Sequence, residues 1–372
     1  MTGRSELEAV AALQDSWDTA EGWARQGDAE RVGALGRVLA ERYEAAAKAV
    51  RGLDSQLGHL MRVLALTPGR PFVEQLLVLH RESRERPEGM RPRLLASLIA
   101  EGQPLRDAAY VLSDEATRSG DELRACLYHE LLLRGENADE LHRLAGTAFI
   151  VPEWHRLAWL PDRLADMEYG GEFPGRSYRG AVGVGYPDMA SRQWVDAAAR
   201  RAAARYPVHE STPAHLVEAI GGPPSVGGWG GYEVRVFTSR ERIDPADLPG
   251  VLAGLPMDCV AGLGELSRFE AGPCPLDEVW QTLFATASAG GMYASGVHGA
   301  YGRLSAWRSI AGLVGAKRDA GAAEVERLAA ACTWLRFEAG TEWFHNEIND
   351  YGIAAVAPGG RRIAVLAATD TD

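Results

Sequence analysis

The chain has 372 residues, 46% of them apolar and 24% charged, the balance of a soluble protein, and its length sets an expectation of two or three domains. A formal charge of −12 argues against general affinity for DNA or RNA, which needs a cationic footprint, although a local arginine cluster could hold one small anion. Lysine occurs only at Lys48 and Lys317, neither in the context that a P-loop, a pyridoxal Schiff base or a kinase strand lysine requires, so those three mechanisms are disfavoured.

Other broad classes are limited in the same way. The N-terminal residues carry no apolar h-region, so no secretory signal is expected, and no apolar run reaches the ~20 residues of a membrane span. Cys126, Cys259, Cys274 and Cys332 are scattered without a C-x-x-C pair and read as reduced thiols of a cytoplasmic protein.

Residues 1–165 read as an all-α helical array. Val32, Leu35, Leu39 and Tyr43 fall on one helical face, and Leu57, Leu60, Met61 and Leu64 on another. TPGRP interrupts the pattern at Pro68 and Pro71, after which FVEQLLVLHRESRE and four further apolar-periodic segments follow. Such lengths and breaks suggest antiparallel hairpins, with a HEAT-like stack as one arrangement, although no fixed repeat period is present.

Residues 166–231 are rich in glycine, proline and aromatics and form the expected boundary region, with long loops around one short helix, ASRQWVDAAARRAAARY. Residues 232–372 read as an α+β domain. YEVRVFTS alternates as a strand, and Asp244 with Pro245 opens a helix as N-cap and first residue. CPLDEVWQTLFATAS, RLSAWRSIAGLVG and GAAEVERLAAAC are helical, with Gly315 as a C-cap. WLRFEAG, TEWFHNEI, GIAAVA and RRIAVLAA read as strands, with PGG at 358–360 as a hairpin turn. GIAAVA and IAVLAA are apolar on both faces and belong at the centre of an antiparallel sheet packed by helices.

Several long phrases carry a resemblance. Gly290, Gly291 and Tyr293 match G-G-x-Y, and Gly299 to Leu304 with Ala306 to Ser309 match G-A-Y-G-R-L-x-A-W-R-S. Trp343, Phe344, Asp350, Gly352 and Leu366 to Asp372 continue the pattern as W-F, D-x-G and L-A-A-T-D-T-D. Over about residues 230–372 the chain thus resembles an uncharacterised actinobacterial family of domains of unknown function. The resemblance implies no activity, substrate or cofactor, and His345, Glu347 and Asn349 depart from the family's pattern.

The candidate ligand-binding residues are Tyr293, Tyr301, Arg303, Arg308 and Asp370. In AGGMYASGVHGAYGR the glycines could turn backbone N–H groups toward an anion at the N-terminus of a helix starting near Arg303, with Arg303 and Arg308 as a bidentate clamp. The alternative is a tight inter-helix loop whose glycines serve backbone geometry, with Trp307 in the core and the arginines paired to sheet carboxylates. Asp370 and Asp372, two apart, could bind a divalent ion with Asp350 or Glu342, or cap an edge strand, or pair with Arg303 or Arg308. Of these, an Asp370–arginine pair is expected, and no metal or other cofactor is. His345 and Glu347 share a strand face but lack a third ligand, and no G-x-S-x-G elbow or reactive Cys/His phrase occurs. Trp229 in GGWGGYE is expected to pack on the domain.

Two function classes remain open: a non-catalytic scaffold that binds a protein partner through the helical array, and an enzyme or small-anion binder with a site between loop 290–303 and the end of the last strand. Neither nucleic acid nor membrane is expected as a partner, and oligomeric state is open.

Overall fold

The computed structural model describes residues 16–45, 51–82, 88–113, 116, 120–168, 173, 175–181, 193–264, 267–345 and 349–370. The contacts divide the chain into two compact units: residues 1–158 with 174–183, and residues 159–173 with 184–372.

Among the described residues, the first unit is helical apart from one hairpin. Its helices are α1 Ser16–Arg25, α2 Ala29–Ala45, α3 Arg51–Leu66, α4 Arg70–Glu82, α5 Pro92–Gly102, α6 Leu105–Tyr110, α7 Asp121–Leu133 and α8 Ala138–Ala145. The apolar spacing read from the sequence is the buried one: Val32, Leu35 and Leu39 on α2 and Leu57, Leu60, Met61 and Leu64 on α3 are in the core. The break after α3 is Thr67–Gly69, and Pro71 lies inside the first turn of α4, where its missing N–H costs nothing. Strands β1 Arg176–Ser177 and β2 Gly180–Ala181 form the hairpin. Its Tyr178 is tied to α3 at both ends: its carbonyl accepts from His59 Nδ1 at 3.0 Å, and its hydroxyl meets Thr67 Oγ1 at 3.0 Å.

The second unit is α+β. Seven strands form one antiparallel sheet in the order β3-β6-β7-β8-β9-β5-β4. They are β3 Gln193–Trp194, β4 Val208–Glu210, β5 Gly231–Ser239, β6 Phe269–Pro273, β7 Thr333–Ala339, β8 Tyr351–Val356 and β9 Arg362–Thr369. Every residue of β8 is buried, and so is all of β9 after Arg362, as two-faced apolar strands require. On one face Phe237, Phe269, Phe337, Val356 and Val365 pack with Leu248, Val251 and Leu252 of helix α12, Leu248–Ala253. Helix α14, His298–Val314, packs on β8 and β9. The remaining helices are α9 Ala197–Ala203, α10 Ala214–Ile220, α11 Gly222–Gly227, α13 Leu276–Ser288 and α15 Ala322–Ala331.

Arg362, the first residue of β9, reaches the C-terminus of α14. Its Nη1 and Nη2 donate to the carbonyls of Leu313 at 2.5 Å and Gly312 at 3.1 Å, the site where a cation best satisfies orphan helix carbonyls. Gly315 closes that helix in the left-handed conformation, as its sequence position suggested.

Three local expectations change. The described part of TEWFHNEI, Thr341–His345, is a bend rather than a strand. Thr341 Oγ1 donates to the Cys259 carbonyl at 2.9 Å, and the adjacent Trp343 and Phe344 both pack into one cluster, which an alternating strand does not allow. In ASRQWVDAAARRAAARY the helix is limited to Ala197–Ala203, because Gln193 and Trp194 pair with β6 and Asp196 caps the helix through Ala199 N at 2.7 Å. The supposed loop AIGGPPSVGG contains α11, with prolines at its first positions.

Gly352 lies directly opposite Phe337 in the β7–β8 ladder, and a Cβ there would sit 2.4 Å from the ring, which is itself stacked on Phe269. Gly352→Ala is therefore expected to destabilise the second unit by about 1–3 kcal/mol through overpacking, read as a lower urea midpoint with unchanged slope.

Candidate functional site

The loop expected to cradle an anion joins α13 to α14, and its backbone is held at several points. Gly291 N donates to the Gly227 carbonyl at 2.9 Å, Ala294 N to Gly291 at 3.1 Å, and Val297 N to Ala287 at 2.8 Å. Gly290 and Gly296 both have positive φ, and a Cβ on Gly290 would lie 2.5 Å from Gly296 N. His298, at the start of α14, also has positive φ (63°) and is buried, a strained conformation held by its surroundings.

Asp370 supports this loop from the end of β9. Its Oδ2 accepts from Met292 N at 2.7 Å, and Gly291 lies against the carboxylate so closely that a Cβ would be 2.6 Å from Oδ1. Asp370 does not meet Arg303. The expected carboxylate–arginine pair is replaced by a carboxylate–amide bond, because the main chain occupies the space in front of Asp370.

Arg303 has a different role from an anion clamp. Helix α14 begins at His298, so Arg303 lies in its second turn rather than at its N-terminus, and its side chain is wholly buried. Its Nε and Nη2 donate to Glu168 Oε1 and Oε2 at 2.6 and 2.8 Å. Nη1 donates to the Pro161 carbonyl at 3.1 Å and Nη2 to the Arg163 carbonyl at 2.7 Å. Glu168 also accepts from Trp307 Nε1 at 2.9 Å and Ala165 N at 2.9 Å. This bidentate, fully bonded pair leaves no room for a ligand carboxylate or phosphate.

The remaining candidates lie elsewhere on the surface. Arg308 is exposed on α14, five residues from Arg303, and so about 140° around the helix from it, which prevents the two from clamping one ion. Tyr301 is half-buried on the first turn, and Tyr293 is 79% exposed on the loop. The five candidates therefore do not converge. Glu347 and Asp372, which the metal readings needed, fall outside the described residues; among the described residues no three His, Cys, Asp or Glu side chains gather.

Other chemistry-bearing groups are engaged in the fold. Burial pushes up all four thiols, that of Cys274 to about 12, so at neutral pH none is a thiolate. His129 and His142 bond the carbonyls of Leu157 and Phe149, and His155 meets Glu122 at 2.8 Å. Trp229 packs edge-on against Tyr351 and donates to the Thr286 carbonyl at 3.3 Å.

The Glu168–Arg303 pair can be tested directly by substitution. Glu168→Ala would leave a buried guanidinium uncompensated and is expected to cost roughly 3–5 kcal/mol. Glu168→Leu combined with Arg303→Met should recover much of that loss, and a double-mutant cycle by chemical denaturation reads the coupling.

No curated protein and no solved structure matches the chain. Among the described residues, no helix is long and apolar enough to cross a membrane. Residues 14–372 match a family of unknown function, DUF6183, and the chain belongs to that family.

Proposed function

We propose that this chain is a non-catalytic protein-binding module whose contact face is built around the α13–α14 loop. The observation that carries the proposal is the exposure of large apolar side chains on a rigid backbone. Met292 is 63% and Tyr293 79% exposed, on the loop that Asp370, Gly227 and two left-handed glycines hold in place.

Val226 and Tyr232 are also exposed. Val226 precedes Gly227, whose carbonyl holds Gly291, and Tyr232 lies opposite Ala368, two residues before Asp370. Single exposed apolar residues are ordinary on a protein surface, but four around one anchored loop are the pattern of a recognition patch. A preformed loop also loses little entropy on binding, and tyrosine and methionine are enriched at interface centres. The helical unit, the surface first expected to bind a partner, adds a smaller exposed pair, Ile150 and Trp154. A cytoplasmic setting belongs to the same reading and is supported by the four free thiols.

The enzyme alternative needed Arg303 and Asp370 open to a substrate, and their bonding to Glu168 and Met292 weighs against it. A photo-crosslinking amino acid in place of Tyr293 is expected to give discrete protein adducts in cells of the source organism. The same residue at exposed Lys317 should not, and Met292→Asp should abolish the Tyr293 adducts. Equal labelling at 293 and 317 would refute the contact face.

A further inference from the structure

Residues 174–183 belong to the first unit, although the chain on either side of them belongs to the second. Their hairpin pairs only two residues per strand, too few for the ladder to hold it, so its place on the helices rests on its docking bonds. Arg176 N donates to Glu101 Oε1 of α5 at 2.7 Å, and the Tyr178 hydroxyl meets Thr67 Oγ1 at 3.0 Å. Arg179 reaches α1, with Nη2 on Asp18 Oδ1 at 2.6 Å and Nε on Glu21 Oε1 at 3.2 Å. The fourth tie is His59 of α3, whose Nδ1 lies 3.0 Å from the Tyr178 carbonyl.

Histidine is the one side-chain type among these that ordinarily changes charge near neutral pH. A carbonyl only accepts, so Nδ1 of His59 carries the proton. In the neutral ring Nε2 is then a bare acceptor; it makes no hydrogen bond among the described residues and faces Glu21 Oε1 at 3.6 Å. The ring is buried, with Trp17 stacked on it at 4.5 Å. Burial holds its pKa below the ordinary value, against the Tyr178 carbonyl, Glu21 and the Trp17 carbonyl, and Arg62 on the same helix adds to the lowering.

Glu21 is not free to receive a cationic His59. Its Oε2 already accepts from Arg25 at 2.9 Å, and its Oε1 is the oxygen that holds Arg179 of the hairpin. A proton on Nε2 therefore sets a second cation against the oxygen that the hairpin uses. The imidazolium either takes Oε1 at the expense of Arg179 or stays buried and short of an acceptor, and release of the hairpin relieves both by letting water reach the ring.

We propose that the Arg176–Ala181 hairpin is an acid-released clasp on the helical unit, opened by protonation of His59. With the hairpin docked, His59 takes up a proton less readily than in the released state, where the ordinary value of about 6.5 applies. Docking is therefore at full strength above that value and weakens progressively as the pH falls below it.

Hydrogen exchange of the full chain, read by mass spectrometry at about pH 7.5 and about pH 5.5 and corrected for intrinsic rates, tests the clasp. Peptides covering the hairpin are expected to lose protection several-fold at the lower pH, while those from α2, which carries no histidine, are not. His59→Gln keeps an N–H for the Tyr178 carbonyl but does not titrate, and should abolish the pH dependence. Tyr178→Phe removes the Thr67 bond alone, and should loosen the hairpin at both pH values with the pH dependence kept. If His59→Gln does not fold, His59→Asn takes its place, and the wild-type profile is decisive through its midpoint. Equal protection at both pH values, a midpoint below about pH 5 where carboxylates titrate, or a pH dependence that survives loss of His59 would overturn the proposal.

Discussion

The bidentate pair between Glu168 and Arg303 is the constraint on which the second unit turns. Residues Trp159 to Glu168 have no long helix or strand of their own, only short 3-10 turns. Such a segment cannot hold a position by local hydrogen bonding and must borrow order from its neighbours. Arg303 supplies it with two bonds to Glu168 and one each to the carbonyls of Pro161 and Arg163, so at least four of its five N–H groups bond this one segment. Around the pair, Trp159 stands edge-on to Trp307 and donates to the Ala320 carbonyl, and Arg163 pairs with Glu326. A buried ion pair adds little net stability over well-packed apolar residues, yet it penalises any other placement of the segment severely. Its contribution is to position: helix α14 is clasped by a strap that has one low-energy register.

That pair also marks the limit of what the sequence could reveal. Periodicity exposed the buried faces of α2 and α3, and apolar strands free of charge exposed β8 and β9 as the sheet's centre, because those signals are local. The hairpin turn at 358–360 and the Gly315 cap were legible for the same reason. Arg303 among glycines has the local look of an anion clamp, and nothing nearby in sequence announces a partner 135 residues upstream. TEWFHNEI misled in a related way: its polar and apolar residues resemble a strand's alternation, but Trp343 and Phe344 are consecutive and bury together, which only a bend permits. The short edge strands β3 and β4 went unseen, since two or three largely exposed residues carry no periodic signal.

Asp370 shows how the same residues can be read correctly in kind and wrongly in partner. A carboxylate at the end of a central strand does need compensation when buried, and an arginine was the expected source. The chain instead uses the amide of Met292, with Gly291 providing the close approach. This choice has a consequence an arginine would not have had. An ion pair to a flexible side chain would anchor β9 to a helix; a bond to the main chain fixes the loop itself, and with it the direction of the two side chains that follow.

The distribution of unsatisfied groups then becomes informative. The thiols are protonated, four of the first unit's histidines are bonded to carbonyls or a carboxylate, and Arg303 is bonded at four or more of its N–H groups. The apolar side chains of the α13–α14 loop stand apart from these engaged groups. Met292 and Tyr293 present apolar area that a rearranged loop could have hidden, yet the backbone is built to keep it outward. Folded proteins tolerate such local costs where a ligand or partner offsets them. As a proposed contact face, the loop calls for a protein surface as its occupant, because what it displays is apolar rather than charged.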